Sequence, residues 1–545
     1  MKLNNMMQVF HTVKHLKFEQ FFFRFYYRYK KPVLRVKNLS VINNWKWDGL
    51  YLNNQSIFDF NEVCFLNKKN NNFNHNNWND ITQDKLWIYN LHYFDDLSSY
   101  TYLEREELHY FYMNSWIINN PPCNGNGWEP YPLSIRLVNW IKWLSKKDNV
   151  DIKFINSLYQ QSDALYQQIE YHILGNHLFA NAKALIFSGS YLEGIMAEKY
   201  INKGLKILNH ELKEQFLSDG GHFELSPMYH QILLWDLLEL IDLASISQNE
   251  KLLEQLCYWK SVASKALSWL SSMLHPDGEI GFFNDAAIGI AIPPYDIFRY
   301  AERLSINYYD KKSCLVTNSV SGYSNISFDD YTVIFDHANV GPDYLPGHAH
   351  ADSLSFEMSV GQQRLFVNSG TSLYGISDER LRQRKTAAHN TVEINGCDSS
   401  EVWSGFRVAR RAYSTLNKSF FDEINQNVII SASHDGYTRI DKNIIHSRIL
   451  TCSFDQVTIE DTFGKVVVGT FILHLHPNIE IIKRSNRILI LKINDFLNVE
   501  FSSSDDIKIE PSTWHPRFGE SVDNNKIIIN FNKNKISSHI KILKD

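Results

Sequence analysis

The sequence predicts a multidomain α+β protein in which an N-terminal (α/α) toroid of helical hairpins precedes a C-terminal antiparallel β-sandwich. The chain has 545 residues, too many for one ordinary hydrophobic core. Residues from about 100 to 305 carry apolar side chains at helical spacing, whereas short β-branched runs separated by turn residues follow residue 315. We therefore expect an extension over 1–85, the helical domain over 86–315 and the β-domain over 316–545.

The extension contains a basic, aromatic segment and an asparagine-rich stretch. The segment "FEQFFFRFYYRYKK" mixes aromatic rings with Arg and Lys and lacks the apolar core and cleavage site of a signal peptide. It predicts a helix that packs its rings on the rest of the protein, with a helix lying in a membrane interface as the alternative. The stretch "NKKNNNFNHNNWND" predicts a solvated surface loop, because asparagine favours turns.

Two segments carry the helical prediction most clearly. In "YPLSIRLVNWIKWLSK" the apolar residues recur at intervals of three and four, and Pro132 suits the first turn of a helix. The segment "QILLWDLLELIDLASIS" is apolar nearly all round, which predicts a helix with neighbours on two sides. The stripe in the first segment consists of Leu133, Leu137, Trp140, Ile141 and Leu144.

Composition and charge disfavour a nucleic-acid-binding protein and a protein with transmembrane helices. A formal charge of −5 gives no electrostatic reason to expect a nucleic-acid partner, and no apolar run is long enough for a transmembrane helix. The six cysteines are scattered without metal-binding spacing, so free thiols are expected. Aromatic residues make up 14% of the chain, which suits a large core or stacking on sugars. Without a recognisable export signal, we expect a cytoplasmic or inner-membrane-associated protein, with the periplasm as the alternative.

A histidine-rich stretch precedes one of the predicted strands. Alternate residues of an extended chain share a face, so His348, His350 and Asp352 would point the same way as the apolar residues of "SLSFEMSV". This pattern predicts a buried strand whose first residues carry ionisable side chains at a functional site. Two alternating histidines, a carboxylate and a distant histidine are also a plausible zinc arrangement. His474 and His476 alternate too, but have no acidic neighbour and are expected to be ordinary strand residues.

A second polar motif, "DGGHFELSPMYH", lies before the most apolar helix. Its glycines predict a turn, and Pro227 can open a helix at its first position. Tyr229 and His230 then fall in the first turn of that helix, near a loop. Tyr229 either packs at the start of the helix or projects into a cleft as an acid or base, since nearby positive charge lowers a phenol pKa.

Five motifs in order resemble the heparinase II/III family of polysaccharide lyases, which includes related alginate lyases. They are "GNH", "DGGHFELSPMYH", "GHAHADSLSF", "NSGTSLYG" and "RKTAAHNTVEING". The segments "LWIYNLHYFDDL" and "NGNGWEPYPLSIRLVNW" resemble the N-terminal helical part of the family, so the resemblance covers most of the chain. The resemblance implies an (α/α) toroid followed by a β-sandwich, and β-elimination at a uronic acid. By this resemblance Asn176 and His177 would neutralise the uronate carboxylate. Tyr229 would be the acid, and for some substrates the base, and His348 the other base.

The same resemblance implies one structural zinc ion and no organic cofactor. His350 and His389 would be ligands, joined in relatives by an aspartate at the position of Asn368 in this chain. An amide oxygen is a weaker, uncharged ligand, so Asn368 makes the site doubtful, although Asp352 offers a carboxylate nearby. Arginines, two tryptophans and one glutamate beside the motifs are expected to bind substrate or line the cleft, with surface ion pairs and packing as the alternative. These residues are Arg382, Arg384, Arg407, Trp128, Glu129 and Trp403.

Three functions remain open from the sequence. The first is a lyase acting on a uronate-containing, glycosaminoglycan-like polysaccharide. The second is a glycan-binding or polysaccharide-assembly protein that keeps the fold without the chemistry; the presence of Asn176, Tyr229 and His348 disfavours it. The third is a metal-dependent hydrolase, which Asn368 disfavours.

Overall fold

The computed structural model describes residues 2–34, 42–310 and 313–544. Within these residues the first part of the chain is mainly helical and the second part is mainly built from antiparallel strands, as predicted. One further short helix lies among the strands. The helices are α1 (Lys2–Val13), α2 (Phe18–Tyr29), α3 (Lys85–Tyr93), α4 (Glu106–Asn119), α5 (Pro130–Leu144), α6 (Ile152–Gln167), α7 (Gly175–Tyr191), α8 (Ile195–Gln215), α9 (Pro227–Ser247), α10 (Glu250–Leu253), α11 (Leu256–Ser272), α12 (Pro294–Arg303) and α13 (Asp378–Arg384).

The two segments with the strongest helical pattern form α5 and α9. Proline lies in the first turn of each, where the missing N–H has no intrahelical partner to lose. The side-chain oxygen of Ser226 caps α9 by accepting a hydrogen bond from the backbone N–H of Tyr229 at 3.2 Å. Almost every residue of α9 is buried, which confirms the prediction of neighbours on two sides. The cap fixes Tyr229 in the first turn.

The described strands form a small three-stranded sheet near the start of the chain, two large sheets after the helices, and a two-stranded ribbon of β10 and β11. The three-stranded sheet includes part of the asparagine-rich stretch, which the sequence did not indicate as strand. The strands are β1 (Ile57–Asp59), β2 (Glu62–Phe65), β3 (Lys68–Asn70), β4 (Leu315–Asn318), β5 (Tyr323–Phe328), β6 (Tyr331–Asp336), β7 (Phe356–Val360), β8 (Gln363–Phe366), β9 (Val392–Ile394), β10 (Val402–Trp403), β11 (Arg407–Val408), β12 (Ser414–Asp422), β13 (Asn427–His434), β14 (His446–Cys452), β15 (Gln456–His474), β16 (Glu480–Arg484), β17 (Ile488–Asn494), β18 (Leu497–Ser503), β19 (Ile507–Trp514) and β20 (Val522–Lys544).

The two large sheets share one hydrophobic core. Strands β4 to β8 form a five-stranded sheet in chain order, and strands β12 to β20 with β9 form a ten-stranded sheet around the long pair β15 and β20. Val333 and Phe335 of the smaller sheet belong to the same buried cluster as Ile430 and Leu450 of the larger one. Apolar faces that meet in this way form a β-sandwich, which agrees with the prediction.

The smaller sheet also packs against the helical part, so β7 is buried on both faces. His275, just after α11, contacts Glu357 and Ser359 of β7 through its two ring nitrogens, at 3.0 and 2.8 Å. The backbone N–H of Phe282 donates to the same Glu357 carboxylate at 2.9 Å. This seam brings residues 281–290, the start of α9 and the loop before β7 together.

The loop before β7 differs from the prediction. We expected the alternating histidines to extend the strand, but β7 begins only at Phe356 and residues 346–355 form turns. Leu354 has a left-handed backbone conformation with φ of 61°, which is incompatible with a continuous strand. The prediction that His348, His350 and Asp352 share a strand face is therefore wrong.

Two predicted absences hold for the part of the chain that the structure describes. None of its helices combines the length and the apolar character needed to cross a membrane. All six cysteines are free thiols, as their scattered positions predicted.

Candidate active site

A buried carboxylate, Asp285, organises the seam between the helical and the β part. One of its oxygens accepts a hydrogen bond from Nδ1 of His348 at 2.9 Å, and the other accepts one from Nε2 of His350 at 2.8 Å. The guanidinium of Arg380, at the start of α13, donates to both oxygens. Burial alone would raise the pKa of Asp285, but Arg380 and the two histidines hold it well below its usual range. Asp285 is therefore an anion that orients two imidazoles.

His348 has the geometry of a general base. Its Nδ1 faces a carboxylate, so the neutral ring carries its proton on Nδ1 and keeps the lone pair on Nε2. Its side chain keeps 17% of its surface exposed, whereas His350 is fully buried. His348 can therefore meet a ligand, while His350 belongs to the interior.

Tyr229 lies against His348. The two ring centroids are 4.0 Å apart, and the Tyr229 hydroxyl is 3.0 Å from the hydroxyl of Tyr374 in the "NSGTSLYG" motif. Burial raises the pKa of Tyr229 well above its usual value, and the electrostatic effects of Tyr374 and Asp285 raise it further. Burial likewise raises the pKa of Tyr374. Both phenols are therefore protonated at neutral pH, which is the form that an acid catalyst needs.

Asn176 and His177 lie in the first turn of α7. Gly175 precedes them with φ of 57°, and a Cβ there would lie 2.9 Å from Oε1 of Glu224, so only glycine suits this position. The Asn176 amide is 3.4 Å from the hydroxyl of Tyr131. The ring of His177 packs on Tyr131 with centroids 4.3 Å apart, and its Nδ1 faces Glu170 at 3.1 Å.

Glu224 connects the start of α7 to the histidine side of the site. It is buried, and its Oε2 lies 3.7 Å from Nε2 of His348. Among the described residues neither carboxyl oxygen has a hydrogen-bond partner of good geometry. Burial raises the pKa of Glu224, against the opposing effect of His348 and His177. Asn176, Glu224, His348 and Tyr229 thus form one continuous group.

Two predicted substrate-binding residues have structural roles instead. Arg384 is fully buried, and its guanidinium donates to the backbone carbonyls of Ala349 and Ser404. The indole of Trp128 is buried against Trp116 and donates to the carbonyl of Asn120 at 3.1 Å. Neither side chain reaches the surface, so the prediction that they bind substrate is corrected. Arg384 fixes the loop before β7, and Trp128 packs in the core of the helical part.

The other predicted substrate contacts stay predictions. Trp403 is partly exposed, lies under the guanidinium of Arg407 at 4.8 Å and donates to Thr12 of α1. Glu129 accepts hydrogen bonds from Lys85 and Tyr89 at a partly exposed position just before α5. Arg382 is paired with Glu379. None of these side chains contacts Tyr229 or His348 directly.

The predicted zinc ligands offer an incomplete set. Nδ1 of His350 lies 3.3 Å from Nε2 of His389, a separation that two nitrogens bound to one tetrahedral zinc would have. The amide oxygen of Asn368, however, already accepts the backbone N–H of Asn390 at 3.2 Å. No group of three His, Cys, Asp or Glu residues that could hold a metal occurs in the described ranges. The residues therefore do not fit a complete zinc site, and the metal stays a prediction.

Replacing the amide by a carboxylate tests this interpretation. Asn368→Asp is expected to retain about one zinc ion per chain after dialysis, because it adds an anionic ligand beside two neutral imidazoles. The wild-type protein is expected to retain less under the same conditions. Zinc content, measured by atomic absorption, checks this, with Asn368→Asp/His389→Ala as the control that loses a ligand. Equal zinc retention by the wild type and Asn368→Asp would show that the amide is sufficient.

Sequence reasoning missed four residues of this site: Asp285, Arg380, Tyr374 and Glu224. Asp285 follows Asn284 in "GFFNDAAIG", and an adjacent Asn–Asp pair inside an otherwise apolar stretch is a signal that could have been noticed. Glu224 and Tyr374 lie inside motifs already singled out. Only the fold shows that these segments meet.

Comparison with known proteins agrees with the fold. Residues 5–293 match the family model described as heparinase II/III N-terminus, and residues 311–543 match the model described as heparinase II/III-like, C-terminal. A heparin-sulfate lyase of Pedobacter heparinus is 28% identical over 268 residues, 45% of this chain and 39% of that protein. A heparin-sulfate lyase of Bacteroides thetaiotaomicron is 33% identical over 146 residues, 25% of this chain and 21% of that protein. The chain thus spans well under half the length of these curated relatives.

Two solved structures show the same architecture. A crystal structure of heparinase III superposes with a TM-score of 0.70 at 18% identity, over 96% of this chain and 89% of that one. A heparan sulfate lyase of Pedobacter heparinus superposes with a TM-score of 0.61 at 17% identity, over 87% of this chain and 79% of that one. At such identities the likeness concerns the fold, and it confirms the predicted toroid and β-sandwich.

Proposed function

The chain belongs to the heparinase II/III family, and on that premise we propose that it is a polysaccharide lyase that cleaves a uronate-containing glycan of the glycosaminoglycan class by β-elimination. The observation that carries the proposal is the packing of Tyr229 against His348, with Asp285 behind the imidazole. A protonated phenol packed against an imidazole that is oriented by a carboxylate and partly exposed has the arrangement of an acid–base pair. The names of the curated relatives, heparin-sulfate lyases, support the glycan class.

The chemical difficulty of the reaction is the proton at C5 of the uronate. It becomes acidic only when the charge on the adjacent carboxylate is offset, because its loss places a second negative charge on that group. Asn176 and His177 lie in the first turn of α7, and the dipole of this helix favours an anion at its N-terminus. We assign the uronate carboxylate to this end of the helix.

His348 then acts as the base. Its Nε2 removes the C5 proton, the electron pair of that C–H bond forms the C4–C5 double bond, and the bond between C4 and the glycosidic oxygen breaks. The imidazolium that results lies 2.9 Å from the anionic Asp285, which stabilises the added positive charge. The 3.7 Å separation from Glu224 leaves Nε2 without a hydrogen bond that would compete for the proton.

Tyr229 acts as the acid. Its hydroxyl donates a proton to the departing glycosidic oxygen, so that the products are a new alcohol and an unsaturated uronate. Tyr374 holds this hydroxyl in place through the 3.0 Å contact. The phenolate left on Tyr229 is short-lived, because a pKa far above its usual value favours prompt return of a proton.

The assay follows the new double bond. Incubation with heparan sulfate, heparin, chondroitin sulfate, hyaluronan and alginate is expected to raise ultraviolet absorbance with at least one of them, together with new reducing ends. Reducing ends without absorbance would indicate hydrolysis. Binding of a glycan without any cleavage would support the assembly or binding function instead.

A further inference from the structure

The second helix, α2, presents a row of aromatic side chains to solvent. Phe18, Phe22, Phe25 and Tyr29 recur at intervals of four, three and four residues and therefore share one face. They expose 74, 49, 67 and 71% of their surfaces. Apolar side chains this exposed are ordinary when single, but four in a row with Phe21 beside them form a continuous patch.

The opposite face of α2 fixes the helix to the protein. Gln20 is buried, and its amide donates to the carbonyl of Tyr344 at 3.2 Å. The ring of Phe23 packs on Tyr171 with centroids 4.8 Å apart, and that of Tyr27 packs on His172 at 5.6 Å. The exposed row is therefore held outward by a packed helix, and the prediction that the aromatic rings pack inward holds for one face only.

Unpaired basic residues accompany the aromatic row. Arg24 and Arg28 are four residues apart on the flank of the row, and Lys31 follows the helix; all three are exposed. Among the described residues none of the three has an acidic partner. Residues 1–34 contain seven Lys or Arg residues and one Glu, while the whole chain has a formal charge of −5. Residues 1–34 thus carry a net positive charge, whereas the rest of the chain carries a net negative charge.

The first helix, α1, adds a second apolar row with the same character. Met6, Phe10 and Val13 are exposed at intervals of four and three residues, and Lys14 follows them. Thr12 holds α1 to the β part, since its hydroxyl accepts a hydrogen bond from Trp403 and lies 3.3 Å from the carbonyl of Val408. Both helices are thus attached to the protein and expose apolar faces.

We propose that α1 and α2 dock the protein on an anionic lipid surface, with the aromatic row entering the interface and the arginines contacting lipid phosphates. Aromatic rings on one face with Arg and Lys beside them match the chemistry of a helix that lies in such an interface. A second copy of this chain is the weaker occupant, because a symmetric contact would place one basic surface against another. The proposal does not depend on the lyase activity.

Vesicle binding tests the proposal. The full-length protein is expected to sediment with vesicles of phosphatidylcholine and phosphatidylglycerol, and to stay in solution with phosphatidylcholine alone. Phe22→Ser/Phe25→Ser is expected to weaken binding by at least about tenfold, because it removes two rings from the row. Arg24→Gln/Arg28→Gln is expected to weaken it too, and added salt is expected to weaken binding of the wild type.

A matched control removes exposed apolar side chains elsewhere. Phe496→Ser/Ile424→Ser changes two highly exposed residues in the turns that connect β17 to β18 and β12 to β13. This variant is expected to bind vesicles as the wild type does. Equal binding by Phe22→Ser/Phe25→Ser and the wild type would overturn the proposal, as would failure of the wild type to bind anionic vesicles. A dimer in light scattering that Phe22→Ser/Phe25→Ser abolishes, without vesicle binding, would assign the surface to a second copy. Unchanged thermal unfolding of each variant would show that it is folded.

Discussion

Tyr229→Phe is expected to lower kcat on the cleaved glycan about 10³-fold, because general acid catalysis contributes factors of about 10² to 10⁴. The substitution removes one oxygen and leaves the ring that packs on His348 in place. Within the described part of the chain the hydroxyl has one hydrogen-bond partner, Tyr374, so the cost in folding free energy is expected to be about 1 kcal/mol. The initial rate of the ultraviolet absorbance increase measures the effect.

A substrate with a better leaving group separates chemistry from structure. If Tyr229 protonates the departing oxygen, Tyr229→Phe is expected to lose much less activity on a uronide whose C4 substituent leaves without protonation. Tyr437→Phe is the matched control, since it removes a buried hydroxyl that donates to the carbonyl of Val392, within the β-sandwich. Wild-type kcat in Tyr229→Phe, or an equal loss on both substrates, would contradict the assignment of the acid.

Local sequence pattern was sufficient to predict α5, α9 and the change from helices to short antiparallel strands. The stripe of α5 and the apolar segment of α9 indicate which faces are buried, and Pro227 marks where α9 begins. The same reasoning failed for residues 346–355. Their alternation resembled a strand, but the backbone there is fixed by distant groups: the N–H of His350 donates to the side chain of Asn284, and the carbonyl of His348 accepts from the N–H of Asp285.

The site residues that the sequence did not indicate depend on contacts between distant segments. Asp285 is more than sixty residues from His348 and more than ninety from Arg380 in the chain. Arg384 and Arg380 lie on the same short helix, yet one donates to backbone carbonyls and the other pairs with the carboxylate. No local pattern distinguishes these two arginines, because burial and partner are set by the fold. The motif resemblance singled out Tyr229 and His348, which the structure places side by side, but not the carboxylate of Asp285 behind the imidazole.

Arg380→Met is expected to lower the free energy of unfolding by about 3–5 kcal/mol. Removing one partner of a buried ion pair leaves the other charge without compensation in a medium that solvates it poorly. Asp285 is fully buried, and Arg380 is the cation that contacts both of its oxygens. Unfolding by urea, with comparison of the midpoints and slopes, measures the loss.

The double variant decides whether the uncompensated charge is the cause. Asp285→Asn/Arg380→Met removes both charges, so it is expected to be more stable than Arg380→Met alone, with a coupling energy that shows the pair to interact. Its activity is nevertheless expected to stay low, because a neutral amide does not stabilise the imidazolium of His348. Recovery of activity together with stability would contradict the role of Asp285 behind the base. A loss below about 1 kcal/mol in Arg380→Met would show that water or a rearranged partner solvates the carboxylate.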